Sequence, residues 1–168
     1  AWAAPKRRFE STEDWWERNT VARLHLGDLL PVVEALIGRF ERVEVQPSHG
    51  DFQPGNILVA PDHRRTWLLD WEFHGIRSVH YDTIVLMTGL RWPEHAEAAI
   101  VRAIAGRLKI PSFKSLTAIE RRRAVVLALV EDITLRLRGW DGQLDHTVPP
   151  ALPALLRLIR CVAASGVE

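Results

Sequence analysis

Cysteine is almost missing from this chain. Cys161 is the only one, so no internal disulfide can form, and the composition points to a reducing, cytoplasmic compartment. Long apolar runs are missing as well. The longest, residues 124–130, falls far short of the roughly 20 residues a membrane-spanning helix needs. No signal-peptide pattern opens the chain, and no internal repeat or low-complexity segment interrupts it. Neither sign of charge dominates: 22 basic and 21 acidic residues give a net charge of +1, without the basic footprint of a nucleic-acid binder. What remains is globular. The 168 residues are 47% hydrophobic and 26% charged, enough for one domain with a real core. The first residue is Ala, not Met, and the natural beginning is expected to lie upstream.

The informative stretch is residues 48–72. A polar loop, Ser48-His49-Gly50-Asp51-Phe52-Gln53-Pro54-Gly55-Asn56, precedes a short apolar strand at 57–60. A turn at Pro61-Asp62-His63 and a second strand at 66–69 follow, and the chain then meets Asp70-Trp71-Glu72. Two strands joined by a tight turn bring their outer ends together, so Asn56 is expected beside Asp70. An amide oxygen next to a carboxylate suits a hard cation such as Mg²⁺, which prefers oxygen ligands. Asp51 heads the same loop, within reach of whatever that metal holds. A carboxylate base, an Asn and a metal-binding Asp together suit phosphoryl transfer to a hydroxyl. Gly50 and Gly55 allow the loop to bend tightly, and Pro54 stiffens the approach to Asn56.

His49-Gly50-Asp51, Asn56 five residues on, and Asp70-Trp71-Glu72 after a hairpin resemble the catalytic core of the aminoglycoside phosphotransferase and choline kinase-like family, which shares the protein-kinase fold. The resemblance implies Asp51 as catalytic base, and Asn56 and Asp70 as ligands of Mg²⁺ and hence of the ATP phosphates. It implies that His49 braces the loop, and that Asp82, in His80-Tyr81-Asp82, opens the next helix and hydrogen-bonds the loop backbone. Glu72 reads either as a supporting partner near the metal or as a solvated acid. By average residue usage, His-Gly-Asp with Asn five further on arises by chance in roughly one in a thousand chains of this size.

Around that core the pattern is helical. Residues 1–10 are basic and irregular and are expected to be a linker or frayed end. Ser11 with Asp14 reads as a capping box, followed by Trp15 and Trp16. An apolar pattern runs through Leu24, Leu26, Leu29, Leu30, Val33, Leu36 and Ile37, interrupted at Pro31 and stopped at Gly38. A short strand is expected at 43–45, and no period is visible over 73–81. A helix near Asp82 carries Ile84 to Met87, and Pro93 suits the first turn of another, with Ala96, Ile100, Ile104 and Leu108 as its stripe. Thr117 with Glu120 caps a helix reaching Arg138, whose 124–130 run is apolar on all sides and should be the central buried helix. Gly139 ends it, an acidic loop spans 141–145, and a last helix from Pro150 turns Leu152, Leu155, Leu156, Ile159 and Val162 inward, with Gly166 past its end. Arg121-Arg122-Arg123 reads as an exposed helix face.

The sum is an α+β, mostly α-helical domain of residues 11–168 with small hairpins at its polar edge, which resembles the C-terminal lobe of a kinase-like enzyme. The N-terminal nucleotide lobe of such an enzyme is expected to be absent from this chain. Lys6 is the only lysine before Ser48 and lies on no strand pattern. The implied partners are a small hydroxylated molecule as acceptor (an aminoglycoside, a choline-like compound or another metabolite) and an upstream lobe of the same protein. Aromatic faces at Trp92 and Trp140 could hold a cationic acceptor, although core packing is the expected use of most of the seven tryptophans. Glu131, Asp132 and the 141–145 loop are either attractors for a polycation or a solvated helix end. Two other functions are open on these residues. One is a non-catalytic binding or scaffold module. The other is a metal-dependent hydrolase using the pairs His49-x-Asp51 and His80-x-Asp82.

Overall fold

A computed structural model describes residues 6–138 and 150–165. Ser11 opens the first helix as its pattern predicts. Its Oγ accepts the Asp14 amide at 3.0 Å, and α1 runs Thr12–Arg18. The following apolar pattern is cut at two places. Asn19 separates α1 from α2 (Thr20–His25), and a 3-10 turn at Gly27–Leu29 leads into α3 (Leu30–Gly38). Pro31 sits in the first turn of α3, where no intrahelical partner awaits its missing N–H, so it starts this helix instead of breaking one.

Residues 8–10 are not linker. With Ser11 they form β1 (Arg8–Ser11), which pairs antiparallel with β2 (Arg42–Ser48), Arg8 opposite Val45 and Ser11 opposite Arg42. Val43 and Val45 point into the core while Glu44 and Gln46 alternate outward. The expected hairpin follows: β3 (Ile57–Val59) and β4 (Thr66–Leu68) pair antiparallel, Ile57 opposite Leu68. The stretch without visible period contains β5 (Gly75–Ser78), which pairs with the other edge of β2 to give the order β1-β2-β5. Its buried residues are polar, Arg77 and Ser78, so no apolar alternation could announce it.

Helix α4 (Tyr81–Thr88) ends at Gly89, whose φ of 68° is the left-handed cap. Pro93 lies in a 3-10 turn (Pro93–His95) ahead of α5 (Glu97–Ile104), not in an α-helix. Ala96, Ile100 and Ile104 are buried as expected; Leu108, past the helix end, packs half-buried against the core. The Thr117 and Glu120 box forms in full: the Thr117 amide and hydroxyl donate to Glu120 Oε2 at 2.7 and 2.8 Å, and the Glu120 amide returns a bond to Thr117 Oγ1 at 3.3 Å. It opens α6 (Ala118–Arg138), buried throughout 124–130 and packed on α2, α3, α4, α5 and β5. Helix α7 (Ala151–Ala164) covers it with Leu152, Leu155, Leu158, Ile159 and Val162. The class is the expected α+β, mostly helical one. Gly139, Trp140, the 141–145 loop and Gly166 lie outside the described residues.

Three expectations about side chains are corrected. The Arg121-Arg122-Arg123 run is no solvated face, because α6 begins where α5 and α7 end and β2 starts. Arg121 donates to the Ile104 and Leu116 carbonyls, buried Arg122 to those of Val162 and Ala163, and Arg123 to that of Arg42. Their apolar stems fill the corner while their heads pair carbonyls left over at element ends. Of the described tryptophans, Trp15 and Trp16 are in the core, whereas Trp67, Trp71 and Trp92 are exposed. Glu131 and Asp132 are buried, not at a solvated helix end.

Candidate active site

Strand β2 delivers Ser48, His49, Gly50 and Asp51 to the edge of the core, and Asp82 in the first turn of α4 fixes the path they take. Its Oδ1 accepts the Ser48 hydroxyl at 2.8 Å and the Gly50 amide at 3.1 Å, and its Oδ2 accepts the His49 amide at 2.8 Å. A carboxylate at a helix N-terminus is also favoured by the helix dipole. Gly50 has φ 88°, and a Cβ there would stand 2.1 Å from the Phe73 carbonyl oxygen, so this loop passes closer to the chain after β4 than any side chain allows. Buried His49 bridges the two segments. Its Nε2 lies 2.7 Å from the Leu69 carbonyl and its Nδ1 3.4 Å from the Asp51 amide, partners that suit a neutral ring protonated at Nε2. The ring leans on Trp71 at 4.7 Å.

Asp51 and Asn56 meet directly. The Asn56 side-chain amide donates to the Asp51 carbonyl at 2.9 Å and to its Oδ2 at 3.1 Å, and Gln53 Nε2 donates to the same Oδ2 at 2.9 Å. Arg91 Nε stands 3.4 Å from Asp51 Oδ1. Hairpin register carries the other end of the site to Asn56: the Leu69 amide donates to the Asn56 carbonyl at 2.9 Å. Asp70 comes next, with φ 58°, a left-handed conformation that Asp tolerates better than most residues. Asp70 is exposed. Among the described residues no donor meets its carboxylate, and none meets the Asn56 side-chain oxygen. These two oxygen groups, flanking the close of the hairpin, are the donor chemistry a hard cation takes. Glu72 is exposed and lines a different cavity, with Arg18, Arg77 and Arg138.

The Asp51 carboxylate opens on a cavity of about 440 Å³ whose far side is α6. A buried network ties the two sides together. Tyr81 Oη donates to Asp132 Oδ1 at 2.9 Å and stands 3.3 Å from the Gly50 carbonyl. Arg136 Nε donates to Asp132 Oδ2 at 2.6 Å, and its Nη2 reaches the carbonyls of Arg91 and Leu90. Burial, reinforced by Asp132, holds the Tyr81 phenol well above its ordinary pKa, so it stays a donor. Below it, Glu131 accepts Trp15 Nε1 and both the amide and hydroxyl of Ser78, while burial raises its pKa.

Sequence reasoning missed Gln53, Arg91, Tyr81 and Arg136, and read Asp132 only as an attractor for a polycation or part of a solvated helix end. Gln53, two residues from Asp51 in the same loop, was open to discovery; Arg136, four residues after Asp132 on α6, carried a weaker signal. Arg91 carried none. The two His/Asp pairs do not make a joint metal site. Both Asp82 oxygens serve loop donors, burial and the charge of Arg7 lower the His80 pKa to about 4, and among the described residues no three His, Cys, Asp or Glu side chains converge.

The chain belongs to a family of transferases. The model of the phosphotransferase enzyme family matches residues 1–125, and the chain is a member of that family. The match takes in the loop, both hairpin strands and α4, and ends inside α6. No curated protein and no solved structure matches the chain.

Proposed function

We propose that this chain is the catalytic lobe of a small-molecule kinase that moves the γ-phosphoryl group of ATP to an acceptor hydroxyl. The observation that carries this reading is the meeting of Asp51 and Asn56 at the edge of a cavity, with Asp70 brought alongside by the hairpin register. Asp51 is held by Gln53 and Asn56 through Oδ2, which leaves Oδ1 toward the cavity with only the long contact to Arg91. There it orients the acceptor hydroxyl and takes its proton as the acceptor oxygen bonds to phosphorus and the bond from phosphorus to the ADP oxygen breaks. Asn56 and Asp70 would hold Mg²⁺, which when bound neutralises charge on the β- and γ-phosphates. His49 and Asp82 act by positioning. The exposed apolar side chains of the hairpin, Leu58, Val59, Trp67 and Leu69, suit contact with a nucleotide base or with an upstream nucleotide-binding lobe.

The test is Asp51→Ala in the full-length protein, scored by phosphoryl transfer from ATP. The expected loss of kcat is about 10²-fold or more, with Mg-ATP binding by calorimetry retained. Transfer persisting within a factor of ten would remove Asp51 from the role of base. Failure of the full-length protein to bind Mg-ATP would instead favour a scaffold function.

A further inference from the structure

Resting on the phosphotransfer reading, we infer that the acceptor is an uncharged, largely apolar alcohol and not a polycation. The cavity beside Asp51, about 440 Å³, is in the range that encloses a drug-sized molecule. Among the described residues three carboxylates line it, and two already face a guanidinium. Asp51 accepts from Gln53 and Asn56 and faces Arg91; Asp132 accepts from Tyr81 and Arg136. Only exposed Glu94 has no partner among the described residues. Two guanidinium groups, Arg91 and Arg136, also line it. A molecule with several ammonium groups would set them against both arginines and, among the described residues, find a single carboxylate without a cationic partner. An anion would meet three carboxylates.

The rest of the lining is apolar: Phe73, Val85, Trp92, Pro93, Leu135 and Ala151. A neutral hydrophobic body fits these walls without desolvating a charge, and its hydroxyl is the one group that needs Asp51. Leu135, Arg136 and Ala151 also lie beyond residue 125, where the family match ends. The cavity is therefore lined in part by residues that the shared phosphotransfer pattern does not describe.

The experiment uses the full chain and three probes of one shape: trans-4-butylcyclohexylmethanol, the corresponding methylammonium, and the corresponding carboxylate. None absorbs near tryptophan, so the emission of Trp92 reports binding, with Trp92→Phe as the control for origin of the signal. The alcohol is expected to bind at least fivefold more tightly than either charged analogue. Leu135→Gln is expected to weaken it at least fivefold, and Ala151→Glu to shift preference toward the ammonium probe. Equal or tighter binding of the ammonium or of spermine would overturn the inference. So would no binding of the alcohol up to about 1 mM, unchanged affinity in Leu135→Gln, or a signal that survives Trp92→Phe. None of these outcomes depends on transfer, so they leave the role of Asp51 untouched and are distinguishable from failure of the Asp51→Ala test.

Discussion

Replacing Asp82 by Asn tests how the loop that carries Asp51 is held. The carboxylate accepts three bonds, two at Oδ1 from Ser48 Oγ and the Gly50 amide and one at Oδ2 from the His49 amide. An Asn side chain keeps its shape but turns one of those oxygens into a donor. The less costly orientation places the new NH₂ at the Oδ2 position and leaves the His49 amide facing another donor. An unmet, partly buried N–H costs about 1–3 kcal/mol, and the two surviving bonds lose the charge that made them about twice as strong. The sum is about 3 kcal/mol, a large part of the stability of a domain this size. Urea denaturation followed by tryptophan emission measures the loss. Amide hydrogen exchange locates it, because the His49 and Gly50 amides should lose protection while those of central α6 keep theirs. A change below about 1 kcal/mol with both amides still protected would refute the claim that Asp82 sets the loop.

Two further outcomes follow from the same geometry. Gly50→Ala forces a left-handed non-glycine residue, a strain of about 1–2 kcal/mol, and drives a methyl into the Phe73 carbonyl. The loop must retreat by about 1 Å, a displacement that can cost about 10²-fold in kcat; denaturation midpoint and transfer rate check the two effects separately. His80 supplies the pH prediction. Its folded pKa is lowered to about 4 from 6.5, so between those values the unfolded chain binds a proton that the fold does not. Its contribution is complete above pH 6.5 and is lost as pH falls toward 4, by up to about 3 kcal/mol. Denaturation at pH 4.5 and pH 7 should show a smaller difference in His80→Asn than in the parent.

The site's loop and hairpin were legible because their chemistry is local. Ser11, Thr117 and Glu120 declared their helices through caps that act over three residues, and the register linking Asn56 to Leu69 follows from a turn between two short apolar strands. Strand β5 stayed hidden because its buried residues, Arg77 and Ser78, are polar, and what makes burial acceptable for Ser78 is Glu131, 53 residues away in sequence. The arginine run misled for the same reason. Nothing near Arg122 in sequence reveals that its partners are the last carbonyls of α7. Asp132 looked solvent-facing until Tyr81 and Arg136 were seen to share it.

Helix α6 is bonded to α1 and β5 through Glu131, to Tyr81 through Asp132, and to the Leu90–Arg91 turn at the cavity through Arg136. Among the described residues the β3–β4 hairpin has no such tether to α6; it forms its own two-stranded sheet and joins the remainder through the Asn56 bonds to Asp51 and the His49 bond to Leu69. The molecule is thus mechanically two-sided, with a stiff anvil where an alcohol would rest and a compliant finger where a nucleotide would press. Thermal fluctuation should loosen the finger first, so gripping and letting go of the phosphoryl donor need not disturb the bed that holds the recipient.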